Sequence, residues 1–296
     1  MARFKQYVLP VAIVLGLLFH GICGRLAFLT PWLIFTILLL TFTAVDLRRL
    51  RPTRFDFTLM AYQFVAATAC YLGVRLFGGD KIIAEGLMLG ALTPVAASST
   101  VVSCMLGARR ETVTGYTIFG NLMVAAVAPV FFTLIGEHPE HSLGTSFLLM
   151  LGKISSTLAL PFFIALLMQI LLPKVNSVIA RRTSWSYYVW ALALLITLGQ
   201  TIDFIYIHGS GHWYIIIWLG ALSLLFCAFQ FWLGRKIGRR FGDVVSGAQM
   251  TGQKNSAMGI WMAGNFLNPL ASVFMAFYSV YQNFYNAYQL SRLKRK

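Results

Sequence analysis

Charge is the scarcest feature of this 296-residue chain: only 11% of its residues are Asp, Glu, Lys or Arg, against about 25% in a soluble globular domain. Acids are scarcer still, nine in all. Glu85 and Asp243 fall near helix starts, Asp203 falls near a loop, and none sits clearly in mid-stretch. This leaves no paired-carboxylate site, no acidic metal cluster and no buried carboxylate relay, so a membrane enzyme finds little support. The four cysteines, Cys23, Cys70, Cys104 and Cys227, lie in separate apolar stretches without CxxC or Cys/His spacing. A disulfide framework is therefore excluded, and no metal is expected. There is no TVGYG-like filter and no arginine-rich span, which argues against a channel or voltage sensor.

What the chain does have is apolar length. Hydrophobic residues make up 58% of it, and the mean hydropathy is +0.73. About 20 apolar residues cross a bilayer as a helix. Ten stretches qualify: 6–24, 27–45, 56–77, 82–107, 112–136, 145–172, 185–207, 213–234, 241–265 and 268–290. Their continuity speaks against a β-barrel, and lipid tolerates no unpaired backbone groups, so each is expected to be helical. The first stretch has the basic start of a signal peptide but runs on without a convincing cleavage site, and is read as the first span.

The Lys and Arg residues number 24 against nine acids, a formal +15. With the N-terminus inside, 19 of the 24 fall in segments on the cytoplasmic side. This positive-inside pattern places both termini in the cytoplasm and makes anionic lipid, not nucleic acid, the expected partner of the excess. The expected fold is an all-α polytopic membrane protein of ten helices. Five helices per half would make residues 145–296 an inverted copy of residues 1–144, together one membrane unit.

Two small, polar interruptions fall in corresponding helices of the two halves. Thr93-Pro94-Val95-Ala96-Ala97-Ser98-Ser99-Thr100 interrupts the fourth, and Thr251-Gly252-Gln253-Lys254-Asn255-Ser256 interrupts the ninth. Paired interruptions of this kind are the best sequence pointer to a transporter's binding site. Lys254 lies about fourteen residues beyond Arg240, at mid-membrane on a rise of about 1.5 Å per residue. A lysine there costs about 2.5–3.5 kcal/mol to insert and should meet a polar partner or a wet cavity. Lys153 lies only about eight residues from a loop, within reach of the interface by its own stem. Gln63, Ser99, Thr100, Thr117, Asn121, Asn255, Gln282 and Asn283 are the neutral polar candidates. Asn265 and Asn268 join Asn255, Gln282 and Asn283 as candidate substrate contacts.

These motifs resemble the bile acid:sodium symporter family and its bacterial relatives. Gln63-Phe64 in the third span, Glu85, and the Pro94–Thr100 break match that pattern. Gly252-Gln253-Lys254-Asn255-Ser256 resembles the family's Glu-x-Gly-x-Gln-Asn-Ser motif, while Pro269 and Gln282-Asn283 resemble its tenth helix. The resemblance implies ten helices in inverted repeats, with the fourth and ninth crossing near the midplane of a bacterial inner membrane. It implies one sodium site at Ser99, Thr100, Thr117 and Asn121, and a second at Gln63 and the segment containing Met250, Thr251, Gln253 and Lys254. Met250 stands where the family has its glutamate, and Lys254 where it has glutamine. A thioether is a poor ligand for a hard cation and an ammonium repels one, which argues against sodium in the second site.

The expectation is a secondary transporter moving an organic anion, bile-acid-like or a smaller carboxylate, by alternating access. Lys254 would replace the coupling cation, reaching toward Gln63 and the carbonyls of the broken helices. No cofactor is required; proton coupling through Lys254 and a sodium-coupled symporter of the same family are the alternatives. A channel, a sensor and an enzyme are the more remote ones.

Overall fold

The computed structural model describes residues 8–48, 50–96, 99–136, 142–182, 185–208 and 210–293. Helix covers part of each of the ten apolar stretches. The helices are α1 (Val8–Leu18), α2 (His20–Arg25), α3 (Thr30–Thr43), α4 (Arg54–Leu76), α5 (Lys81–Leu92), α6 (Ser99–Met105) and α7 (Arg110–Ile135). They continue with α8 (Leu143–Leu158), α9 (Leu160–Leu171), α10 (Pro173–Ala180), α11 (Trp185–His208), α12 (Trp213–Arg240), α13 (Val244–Gly252), α14 (Ser256–Phe266) and α15 (Ser272–Leu293). By length and composition, α4, α7, the Tyr188–Ile207 part of α11, and α12 are each able to cross a membrane. The pair α8 and α9 passes the same test as one span bent by 45°. Large apolar side chains such as Trp32, Val65, Leu76 and Ile217 stand on the outside, as lipid-facing residues do. This is a membrane-embedded, multi-pass chain.

Local chemistry starts and stops these helices. Thr53 and Asp56 form a capping box at the head of α4, with Asp56 Oδ2 accepting from Thr53 N at 2.7 Å. Asp80, Ser142 and Asp243 cap α5, α8 and α13 by accepting backbone N–H groups of the first turn; each satisfies a donor the helix cannot. Two features depart from the sequence reading. The sixth span bends at Ala159, next to Pro161, whose ring removes a hydrogen bond and crowds the preceding turn. The segment 173–184, expected as a loop, contains the short helix α10, begun by Pro173 at its first position, where a missing N–H costs nothing.

Helix contacts fall into two groups. α1, α2 and α3 pack on α11, and α3 also packs on α9 and α10. The second group joins α4 to α5, and α12 to α5, α13 and α15. Its tightest approach is between α12 and α13. A Cβ at Gly234 would stand 2.3 Å from Gly247 O, and one at Gly247 would stand 2.8 Å from Gly238 Cα. The spacing Gly234-x-x-x-Gly238 is the small-residue pattern that lets membrane helices touch backbone to backbone. Gly242, at φ +70°, turns the chain between these two helices in a conformation that only glycine adopts freely.

Candidate functional site: the crossing of two broken helices

The fourth span stops being helical at Leu92 and resumes at Ser99; the ninth stops at Gly252 and resumes at Ser256. Pro94 explains the first stop, because it disfavours helical geometry in the residue before it; Thr93 accordingly has ψ 130°. In the ninth span Gln253 is extended and Asn255 restarts the helix, its Oδ1 accepting from Met258 N at 3.3 Å. The two extended breaks lie side by side. Val95 and Lys254 form an antiparallel bridge, with Asn255 N donating to Pro94 O at 2.8 Å and Ala96 N to Gln253 O at 3.4 Å. Breaking a helix inside a membrane frees backbone groups that must be paired by protein, and each break here pairs part of the other.

Side chains complete the pairing. The last carbonyls of α5 have no partners within their helix. Thr93 Oγ1 donates to Leu89 O at 2.7 Å, Lys254 Nζ donates to Ala91 O at 2.8 Å, and Gln63 Nε2 donates to Leu92 O at 2.6 Å. A cation at this place also meets the negative end of the α5 dipole. Gln63 is held from the other side by Tyr116 Oη, which donates to its Oε1 at 3.0 Å. Gln282, on α15, clasps the backbone of Lys254: its Oε1 accepts from Lys254 N at 2.8 Å and its Nε2 donates to Lys254 O at 3.0 Å. Tyr278 Oη donates to Gly252 O at 2.9 Å. Lys254 is 2% exposed, and among the described residues it forms no salt bridge.

The expected site residues are thus distributed unevenly. Lys254, Gln63, Asn255 and Gln282 gather at the bridge. Lys254 reaches a carbonyl of the broken fourth span, as expected, and Gln63 takes the next carbonyl of the same helix end; no hydrogen bond joins the two side chains among the described residues. Thr251 donates to Gln230 O and Gly247 O, both at 2.9 Å, and Gln253 is bonded to Gln249. Met250 is fully buried among Phe55, Leu59, Val95 and Tyr116, which suits a thioether and no cation. Thr117 donates to Val113 O and Asn121 Nδ2 to Thr117 O within α7. Ser99 Oγ, Thr100 Oγ1 and Asn121 Oδ1 are buried without a hydrogen-bond partner, as are the hydroxyls of Ser103 and Thr114 nearby in sequence.

The remaining candidates are not at the bridge. Asn283 donates to Ser279 O of its own helix. Asn268 caps the turn Pro269–Ala271, and its backbone N donates to Glu85 Oε2 at 3.0 Å. Asn265 accepts from Lys153 Nζ, which also stands 5.6 Å from the centroid of the Phe266 ring. Lys153 therefore tethers α8 to α14 and is more than a stem reaching for the interface. Tyr116 is not a candidate in the sequence; an aromatic with a polar tip on an apolar span is too common a feature to mark a site.

A family model described as the Sodium Bile acid symporter family matches residues 33–207, more than half of the chain. No curated protein matches it. The matched residues include the first break with Gln63, Ser99, Thr100, Thr117 and Asn121, and end before α12, the second break and Lys254. From its match and from its apolar helices, the chain belongs to the sodium bile acid symporter family and is a membrane transporter of that type.

Proposed function

We propose that this protein is a secondary transporter of a small organic anion that works by alternating access and does not need sodium, because the Lys254 ammonium takes the place of a coupling cation. The observation that carries this reading is the position of Lys254 Nζ, 2.8 Å from Ala91 O at the free carbonyl end of α5. A metal cation at such a helix end would be held by the same kind of oxygens that this ammonium occupies. Met250 and Lys254 give the crossing a net +1 without bound sodium. A site with one glutamate and two sodium ions carries the same charge. The two helix groups would act as a fixed panel and a moving core, each built from helices of both inverted halves. Half-helix N-termini and a buried cation together favour an anionic group on the solute.

The unpartnered oxygens of Ser99, Thr100 and Asn121 favour a second reading, a sodium-coupled symporter that keeps one cation site. Uptake into proteoliposomes, with sodium replaced by choline and across a range of external pH, separates the two. Sodium-independent uptake is expected in the wild type, and a loss of at least about tenfold in Lys254→Gln. A pH-dependent rate would identify Lys254 as carrying a transported proton. Strict sodium dependence in the wild type would overturn the proposal in favour of the second reading.

A further inference from the structure

We propose that a separate cavity, at the end of the molecule away from the arginine-rich end of α12, binds a small solute through an ammonium group, with Asp203 as the recognising side chain. The cavity measures about 220 Å³ and lies where α2, α11, α14 and the Pro269–Ala271 turn meet. Ser272, the first residue of α15, also lines it, so the cavity touches both helix groups. Its polar lining is Gln200, Thr201, Asp203 and Ser272, and no lysine or arginine is among its lining residues.

Asp203 is held in place from two directions. His20 Nδ1 lies 2.8 Å from its Oδ1, joining α2 to α11. Glycines on α2 make room for the carboxyl group: a Cβ at Gly24 would stand 2.5 Å from Oδ2, and one at Gly21 would stand 3.8 Å from Oδ1. Any larger residue at position 24 would push the carboxylate away. Gln200 and Asp203 are three residues apart and share one face of α11. On the same helix, the buried Thr201 hydroxyl donates to Thr197 O at 3.1 Å and stands 3.3 Å from the buried hydroxyl of Ser272.

The chemistry of this lining selects by charge. The carboxylate side chain is 21% exposed, so its field is screened less than that of a surface acid. One imidazole contact uses only part of its capacity, since a carboxylate offers about four acceptor positions. A plain organic anion brought here meets a negative group with no lysine or arginine in the lining to offset it. An ammonium group meets its complement, and the hydroxyls and carboxamide can serve the rest of a short polar solute. The volume lies below the about 300–1,000 Å³ of pockets that enclose drug-sized ligands, so a large fused-ring solute does not fit this space. The inference rests on the transport reading and narrows it: the organic anion also carries an ammonium group.

Thermal unfolding of the purified full-length protein tests this with three probes of one skeleton: butylammonium, 4-aminobutanoate and butanoate. A ligand that binds the folded state raises the unfolding temperature. Butylammonium and 4-aminobutanoate are expected to raise it and butanoate to leave it unchanged. Asp203→Asn is expected to weaken the first two at least about tenfold. Butanoate acting as strongly as the others, no response to any probe, or undiminished binding by Asp203→Asn would each overturn the site. Should Asp203→Asn fail to fold, the order of the three probes on the wild type decides alone. Binding is read without flux, so failed transport and a failed site are separate results.

Discussion

The two sides of the helix crossing solve the same problem in opposite ways. On the ninth-span side, the side chains of Lys254, Gln63, Gln253, Asn255 and Gln282 all have protein partners. On the fourth- and fifth-span side, the oxygens of Ser99, Thr100, Ser103, Thr114 and Asn121 are buried with no partner among the described residues; the ninth span has such an oxygen at Ser246, near its start. Buried polar groups without partners are rare in folded proteins and mark places where something else is bound or where strain is kept. The difference at the crossing follows from the length of the side chain and the donors it carries. An ammonium on a long stem carries its charge and its donors into the crossing. Hydroxyls on short stems inside helices bond their own backbone or wait for a partner from outside.

Perturbing each side in turn should expose this asymmetry. The largest effect is expected for Gly234→Ala, whose Cβ would lie 1.9 Å from Thr251 Oγ1 and 2.3 Å from Gly247 O. Backbone cannot yield as a flexible side chain does, so a loss of about 3 kcal/mol, or no folded protein, should appear in thermal unfolding. Gln282→Leu comes next. It leaves the N–H of Lys254 without its partner and takes one donor from its C=O, which Ser256 N still reaches at 2.9 Å, and should cost about 2 kcal/mol, together with a drop in uptake as the break loses its clasp. The smallest effect belongs to the other side: Ser103→Ala removes an oxygen that has no partner and should change stability by less than about 0.5 kcal/mol. A large cost for Ser103→Ala would mean that a bound group shares that oxygen, and the asymmetry would then disappear.

Much of the architecture was legible along the chain because lipid permits few solutions. The apolar stretches became helices, and Pro94 and Gly252 marked where two of them stop. The need of Lys254 for a polar partner is legible too: a lysine inside an apolar stretch must be paired, and it is buried with its ammonium on Ala91 O. For Lys153 counting supplies only distance from a loop; it does not supply the partner, Asn265, which lies 112 positions away. The same limit hid the cavity at Asp203. Its lining comes from five elements, and the local clue is a pair of polar residues three apart at the end of an apolar span. Asn265, Asn268 and Asn283 are candidates by residue type, and the structure adds that each also makes a hydrogen bond within the protein.

The sequence by itself determined that the chain is embedded in a membrane, that two of its apolar stretches are interrupted, and that one lysine lies within the second interruption. Those properties depend on composition and on position along the chain, which hydrophobic transfer and backbone pairing translate directly into structure. Only the tertiary structure decided that the two interruptions pair with each other, that Lys254 and Gln63 close successive carbonyls at the end of α5, and that Asp203 faces a cavity beside His20. Hydrogen bonds are directional and short, so they depend on which distant residues are brought within about 3 Å. That is a property of packing, and it is not written in any one stretch of the chain.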